Sequence, residues 1–349
     1  MNEIYKGQKA VANWIFIGVA MLLIQVLLGG ITRLTGSGLS ITEWNVVTGT
    51  LPPLNEAVWQ KEFLKYQQTP QYQLLNSDFT LSNFKFIFFW EWFHRFWARL
   101  IGVVFVIGFI YLLAKRYLKK TMIQPLLVLF VMGALQGAIG WIMVASGLTG
   151  DAVYVKPTKL ALHFVFALVL ISYAWWFALE LRIKREAVVY NKPVRKLTGL
   201  IIAVLFLQLV YGALMAGHKA ANAAATWPTI NGDWVPADMF SPLLHLVDNK
   251  ITVHFIHRGL AYLLVALTLV WTIKAARMAA TTFFNKVKLL PLLFIGVQLL
   301  LGIFSVLTST GIVANKWGLF EWMAQLHQLT GMLYLLVMVA MLYLVRKQA

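Results

Sequence analysis

Eight long apolar runs set the limits on what this chain can become. They fall at 10–31, 86–113, 122–145, 159–180, 198–217, 250–273, 287–307 and 322–345. A helix of about 20 apolar residues crosses a hydrocarbon core of about 30 Å. A lipid-exposed backbone must satisfy its own hydrogen bonds, which leaves helices or closed barrels. Runs of this length predict helices. Only 12% of the residues are charged and 60% are hydrophobic, whereas a soluble chain carries about 25% charged residues.

Charge then orients the spans. The net charge of +17 would suggest nucleic acid in a soluble protein. Here the cations sit in short loops, so topology accounts for them and no nucleic-acid partner is expected. One side carries 18 Lys and Arg; the other carries 9 over much longer loops. The positive-inside rule places both termini in the cytoplasm. The first run is too long for a signal-peptide core and has no cleavage site after it, so it is expected to stay as a helix. With no Arg-rich transit segment ahead of it, the expected location is a bacterial plasma membrane, crossed several times. The segments 32–85 and 218–249 are then extracytoplasmic and form an ordered cap.

A repeat runs through the spans. The odd-numbered ones contain Gln25 and Gly29, Gln136 and Gly140, Gln208 and Gly212, Gln298 and Gly302. Residues four apart share a helix face. Glycine allows close helix approach, and a buried amide can bond across helices. The even-numbered spans each carry a histidine near their start: His94, His163, His257 and His327, with spacings of 69 and 70 within the two pairs. The expected fold is an all-α integral membrane protein: eight transmembrane helices as two parallel-repeat four-helix bundles, residues 1–190 and 191–349, with an extracytoplasmic cap.

The histidines carry the chemistry. All four sit two to three turns from the outer surface, and two on neighbouring helices of one bundle can share one porphyrin. The expected metal ligands are His94 with His163, and His257 with His327. Interfacial hydrogen bonding is the bland alternative. A zinc or copper site would need clustered carboxylate or sulfur, and the chain has no cysteine. That also excludes disulfides and thiolate clusters. His254 shares a face with His257 and competes with it. His218 and His245 read as surface residues. Arg95, Arg99 and Arg258 lie inside spans, where an unpaired charge costs several kcal/mol. Haem propionates suit Arg95 and Arg258; for Arg99, snorkelling fits equally. Glu91, one turn before His94, has His254 as its counterpart. A carboxylate beside one site only gives the halves different tasks, chemistry in the first and electron transfer in the second. A salt bridge to Arg95 or Lys85 is the plainer reading.

Three stretches carry a resemblance: Gly29 to Trp44, reading GGITRLTGSGLSITEW; Phe84 to Arg95, reading FKFIFFWEWFHR; and Phe255 to Arg258, reading FIHR. They resemble the haem A synthase family over nearly the whole chain. The resemblance implies oxidation of the C8 methyl of haem O to a formyl group, giving haem A for a terminal oxidase. It implies haem b on His257 and His327, and the substrate haem near His94 and His163, with Glu91 essential. It implies that the new oxygen derives from water, through successive hydroxylations to an aldehyde hydrate. Implied partners are the haem O substrate, haem O synthase and terminal oxidase assembly factors. Without the first-loop cysteine pair of some bacterial members, the chain resembles the subgroup shared with mitochondrial enzymes. Two other classes stay open: a dihaem quinol-linked electron carrier, and a transporter built on a parallel repeat.

Overall fold

The computed structural model describes residues 6–43, 48–237, 239, 242–313 and 316–347. Trp44, at the end of the first motif, lies outside them. Twelve α-helices organise the described residues: α1 Lys6–Leu34, α2 Glu56–Gln67, α3 Pro70–Leu75, α4 Leu81–Ala114, α5 Lys120–Ala145, α6 Pro157–Arg182, α7 Lys192–Gly217, α8 His245–Asp248, α9 Lys250–Ala276, α10 Thr282–Val287, α11 Leu290–Leu307 and α12 Leu319–Leu344. No strand is named among these residues, only one isolated bridge between Ile230 and Asp233. Eight spans are long and apolar enough to cross a membrane, with α10 and α11 together making one of them. The chain is a multi-pass membrane protein.

Local chemistry sets the helix ends. Thr80 and Asn83 form a capping box that starts α4 five residues before its apolar run. Asn191 and Asn249 cap α7 and α9 by accepting from free backbone N–H groups. The seventh span breaks between Val287 and Leu290, and Pro291 sits in the first turn of α11, where its missing N–H costs nothing.

Helices α1, α4, α5 and α6 pack as one group, and α7, α9, α11 and α12 as another; α6 meets α7, and α12 meets both α1 and α6. The join is polar as well as apolar. Gln325 and Gln328 of α12 donate to the carbonyls of Leu27 and Val26 on α1, at 3.1 and 3.0 Å. Gly30 leaves room for those amides. Trp175 on α6 donates to Leu336 O at 3.0 Å. Inside the second group, Trp271 donates to Thr198 Oγ1 at 2.8 Å, and Thr268 and Tyr334 share a 2.6 Å bond. Such pairing is what a dry interior demands of every polar group.

The long loops sit at one end of the helices, here termed the cap end. Helices α2 and α3 fold over the first turns of α4. Phe63, Tyr66 and Phe84 are buried there and stacked, with centroids 5.2–5.3 Å apart. This aromatic seat explains why α4, at 34 residues, projects past the membrane span that its apolar run predicts.

Candidate functional site

The same local unit occurs four times. A Gln and a Gly, four apart on one helix, form a shelf for the histidine of another. A Cβ built on Gly29 would come 3.1 Å from His94 Cε1; on Gly140, 2.8 Å from His163; on Gly212, 3.2 Å from His257; on Gly302, 2.9 Å from His327. Only glycine lets the imidazole lie that close to the backbone. The glutamine amide sits over the ring. Gln25 Nε2 lies 3.2 Å from both nitrogens of His94, and Gln136 Nε2 lies 3.2 and 3.4 Å from those of His163. Both amides also donate to the histidine's own carbonyl, at 3.2 and 3.1 Å. Gln208 and Gln298 reach Nε2 of His257 and His327 at 3.4 and 3.3 Å.

His257 faces His327 and His94 lies within electrostatic reach of His163, but not from neighbouring helices. His94 and His163 stand on α4 and α6, which α1 separates; His257 and His327 stand on α9 and α12, with α7 and α11 packed against both. The paired helices are therefore diagonal, not neighbouring as anticipated. They run in the same direction, and short loops make neighbours of antiparallel helices.

The second pair stands closer together than the lengths of the two side chains require. The rings of His257 and His327 have centroids 6.3 Å apart and planes at 76°. Imidazole nitrogens bind a first-row metal at about 2.0–2.1 Å. Two imidazoles that would hold one such metal between them need their ring centres roughly 6 Å apart. His327 Nδ1 faces Gln298 O at 3.1 Å. Donation there leaves Nε2 as an acceptor, which the Gln298 amide meets at 3.3 Å and which a metal would take when bound. Oε1 of each of the four glutamines is buried without a hydrogen-bond partner among the described residues. Buried polar atoms are normally satisfied, so these mark a place for a further group. A metalloporphyrin between the rings fits. His94 and His163 are near enough to interact electrostatically, and both are half-buried.

Glu91 is buried beside the first pair, one turn toward the cap end. Its Oε2 accepts from Ser40 N at 2.7 Å, Ser40 Oγ at 2.7 Å and Ile41 N at 2.9 Å. Its Oε1 accepts from Arg95 Nη2 at 2.6 Å. The salt bridge to Arg95 is thus present, whereas Lys85 pairs with Glu56 at 3.0 Å. Arg95 also donates to the carbonyls of Ile41 and Glu43, both at 3.4 Å. Together the two side chains strap residues 40–43 across the site. Lys65 extends the strap, 2.8 Å from Glu43 and 2.9 Å from Glu62. Hydrogen bonds that it donates to Glu43, then Glu62, hold its ammonium above its ordinary value.

The second site has a parallel strap without a carboxylate. Arg258 donates to Ala224 O at 2.8 Å and Thr229 O at 3.1 Å. His254, at the position matching Glu91, is fully buried beside the Ala220–Ala224 turn, which also approaches α9.

These features can now be set beside known proteins. A family model described as cytochrome oxidase assembly protein matches residues 12–339. The chain belongs to that family. Among relatives of this cytochrome oxidase assembly protein family is the heme A synthase of Flavobacterium johnsoniae, 39% identical over 339 residues, 95% of this chain and 98% of the relative. The heme A synthase of Cereibacter sphaeroides is 40% identical over 320 residues, 87% of this chain and 82% of the relative. That of Paracoccus denitrificans is 39% identical over 315 residues, 88% and 82%.

The family's first motif acquires a structural meaning here. Ser40 and Ile41 are the partners of Glu91, a link that sequence reading missed; the small polar residues Ser37 and Ser40 just after α1 were the available sign of a turn. Arg95 and Arg258, expected at propionates, donate to loop carbonyls, and Arg95 is also ion-paired with Glu91. His218 and His245 are half-buried rather than on the surface, and His218 Nε2 bonds Val247 O at 2.7 Å.

Proposed function

We infer that the chain oxidises haem O to haem A, the reaction of the haem A synthases it resembles. The observation that carries this is the repeated Gln–Gly shelf under four histidines, with one pair already at the separation for a shared iron.

We propose that residues 191–349 hold haem b between His257 and His327, and residues 1–190 hold substrate haem O near His94 and His163. Haem b, when bound, supplies one-electron chemistry. Arg95 and Arg258 lie at the cap end of their sites, suited to carboxylates as well as to the loop carbonyls they bind. Glu91 is proposed as the catalytic acid/base of the substrate site. It moves a proton, or stabilises positive charge developing at the attacked methyl carbon. Its four donors fix the carboxylate in one orientation, so this role requires Ser40 or the strap to yield an oxygen during turnover. Both termini are proposed to be cytoplasmic, from the distribution of Lys and Arg. Haem O synthase and terminal oxidase assembly factors are the proposed partners.

Chromatography of haems extracted after co-expression with a haem O synthase tests the reading. Haem A is expected. Two permanently bound, unmodified haems would instead indicate an electron carrier, and no pigment a transporter. Glu91→Gln should keep haem bound yet lower haem A formation about 10²-fold or more. Haem A at the wild-type rate would remove Glu91 from the chemistry.

A further inference from the structure

Helices α9 and α11 pack against each other, but α4 and α5 do not form a comparable interface. They touch through Phe105 and Phe130, stacked with centroids 6.2 Å apart, and are the least buried of the spans. Sequence register gives a reason. When Gln136 and Gly140 are aligned with Gln298 and Gly302, Gly133 and Gly137 fall where α11 has Ile295 and Leu299. When His94 is aligned with His257, Gly102 falls where α9 has Val265. Ile295 is buried in the core cluster and Val265 packs against it. A Cβ added at Gly102, Gly133 or Gly137 would meet nothing within 4 Å. Core-packing side chains that α9 and α11 carry at Val265 and Ile295 are missing from α4 and α5.

A cleft results. Phe130, Gly137, Trp141 and Val144 share one face of α5, so the Phe105–Phe130 contact forms its floor. Eleven residues at 1.5 Å rise place Trp141 on the order of 16 Å above that floor. At the cap end lies a cavity of about 210 Å³ lined by Arg95, Trp141, Val144, Leu148, Ile41 and Glu43. The face bearing Gly133 continues through Gln136 to Gly140, which seats His163. One wall is thus apolar, one end carries the Arg95 guanidinium, and Gly140 on the same helix seats His163.

We propose that this cleft admits the substrate haem sideways from the bilayer and houses its long apolar chain between α4 and α5, with Gly102, Gly133 and Gly137 as the specificity-determining residues. This rests on the assignment of residues 1–190 to substrate. The occupant matches the walls: carboxylates toward Arg95, an apolar chain between glycines, iron near His94 and His163. Haem O has such a prenyl chain and protohaem lacks it.

The test gives α5 the wall of α11. Full-length Gly133→Ile/Gly137→Leu is purified with its resident haem, titrated with haem O and with protohaem by difference spectroscopy, and assayed for haem A. Resident haem is expected to stay at the wild-type level, haem O affinity and haem A yield to fall tenfold or more, and protohaem affinity to change less than threefold. Haem O affinity within twofold of wild type overturns the proposal, as does an equal loss of both haems. So does loss of a co-purifying phospholipid with haem O binding intact, which would assign the cleft to lipid. If the double variant loses its resident haem, Gly137→Val in the same titrations decides by the same criteria. A wild-type protein that makes no haem A fails the parent assignment instead, whatever the variants bind.

Discussion

The α9–α11 wall is shut and the α4–α5 wall stands open, yet both enclose histidines seated on the same Gln–Gly shelf. The shelf needs a backbone without a side chain at one position and a donor one turn away. The wall needs only bulk, and it differs at Gly102, Gly133 and Gly137 against Val265, Ile295 and Leu299. The contrast separates what holds an imidazole from what holds its ligand in place. A resident group is retained by a closed wall, and a substrate must be able to leave.

The largest effect should come from the ligands themselves. His257→Ala or His327→Ala should abolish co-purified haem, whereas His94→Ala should keep it and lose haem A formation. Soret absorbance per protein measures the first and haem extraction the second. Full haem retention in His257→Ala would break the distinction between the two regions.

The shelves come next. Alanine at Gly302 or Gly140 would crowd its histidine at 2.9 or 2.8 Å, against 3.2 and 3.1 Å at Gly212 and Gly29. Overpacking typically costs about 1–3 kcal/mol. Gly302→Ala should therefore weaken resident haem by about 5–150-fold, and Gly212→Ala by less. Haem-transfer titration to an apoprotein acceptor checks the order. Equal effects would mean that the shelf adapts freely.

The straps should matter less. Arg258→Met leaves the carbonyls of Ala224 and Thr229 without their charged donor, at a cost of about 1.5–3 kcal/mol. Hydrogen exchange at residues 221–230 should quicken while the first strap stays protected. Quickening in both loops would show the caps to be one unit.

Lys65 gives the smallest effect, at most about 1 kcal/mol for an ion pair this exposed. Its ammonium is raised above the usual 10.5 by Glu43 and Glu62. The stabilisation is therefore fully present below pH 10.5 and lost as pH rises through the higher folded value. Lys65→Met should lower cap protection equally at pH 7 and pH 9. A difference between those two values would contradict the assignment.

Sequence alone carried the spans, because an apolar run of 20 residues has few structural options. It carried the Gln–Gly pairing too, since residues four apart must share a face. The diagonal arrangement of the histidine helices was harder to read: spacing along the chain does not say which helices touch. The straps were nearly invisible. Glu91 and Arg95 could be named, but their partners include backbone groups of Ser40, Ile41 and Glu43, and a backbone carbonyl has no letter in a sequence. The open wall was written in Gly102, Gly133 and Gly137, yet glycine within an apolar run also reads as tight packing. Only the surrounding space distinguishes the two.

The bonds from Gln325 and Gln328 to α1 have a consequence for biogenesis. Helix α1 is completed by α12, which follows it by nearly 300 residues. Until α12 is inserted, α1 lacks its far neighbour and the proposed second haem site lacks His327. On the proposed assignment of His257 and His327 to one haem, loading of that site waits for α12, and a product truncated before residue 319 would not hold haem there.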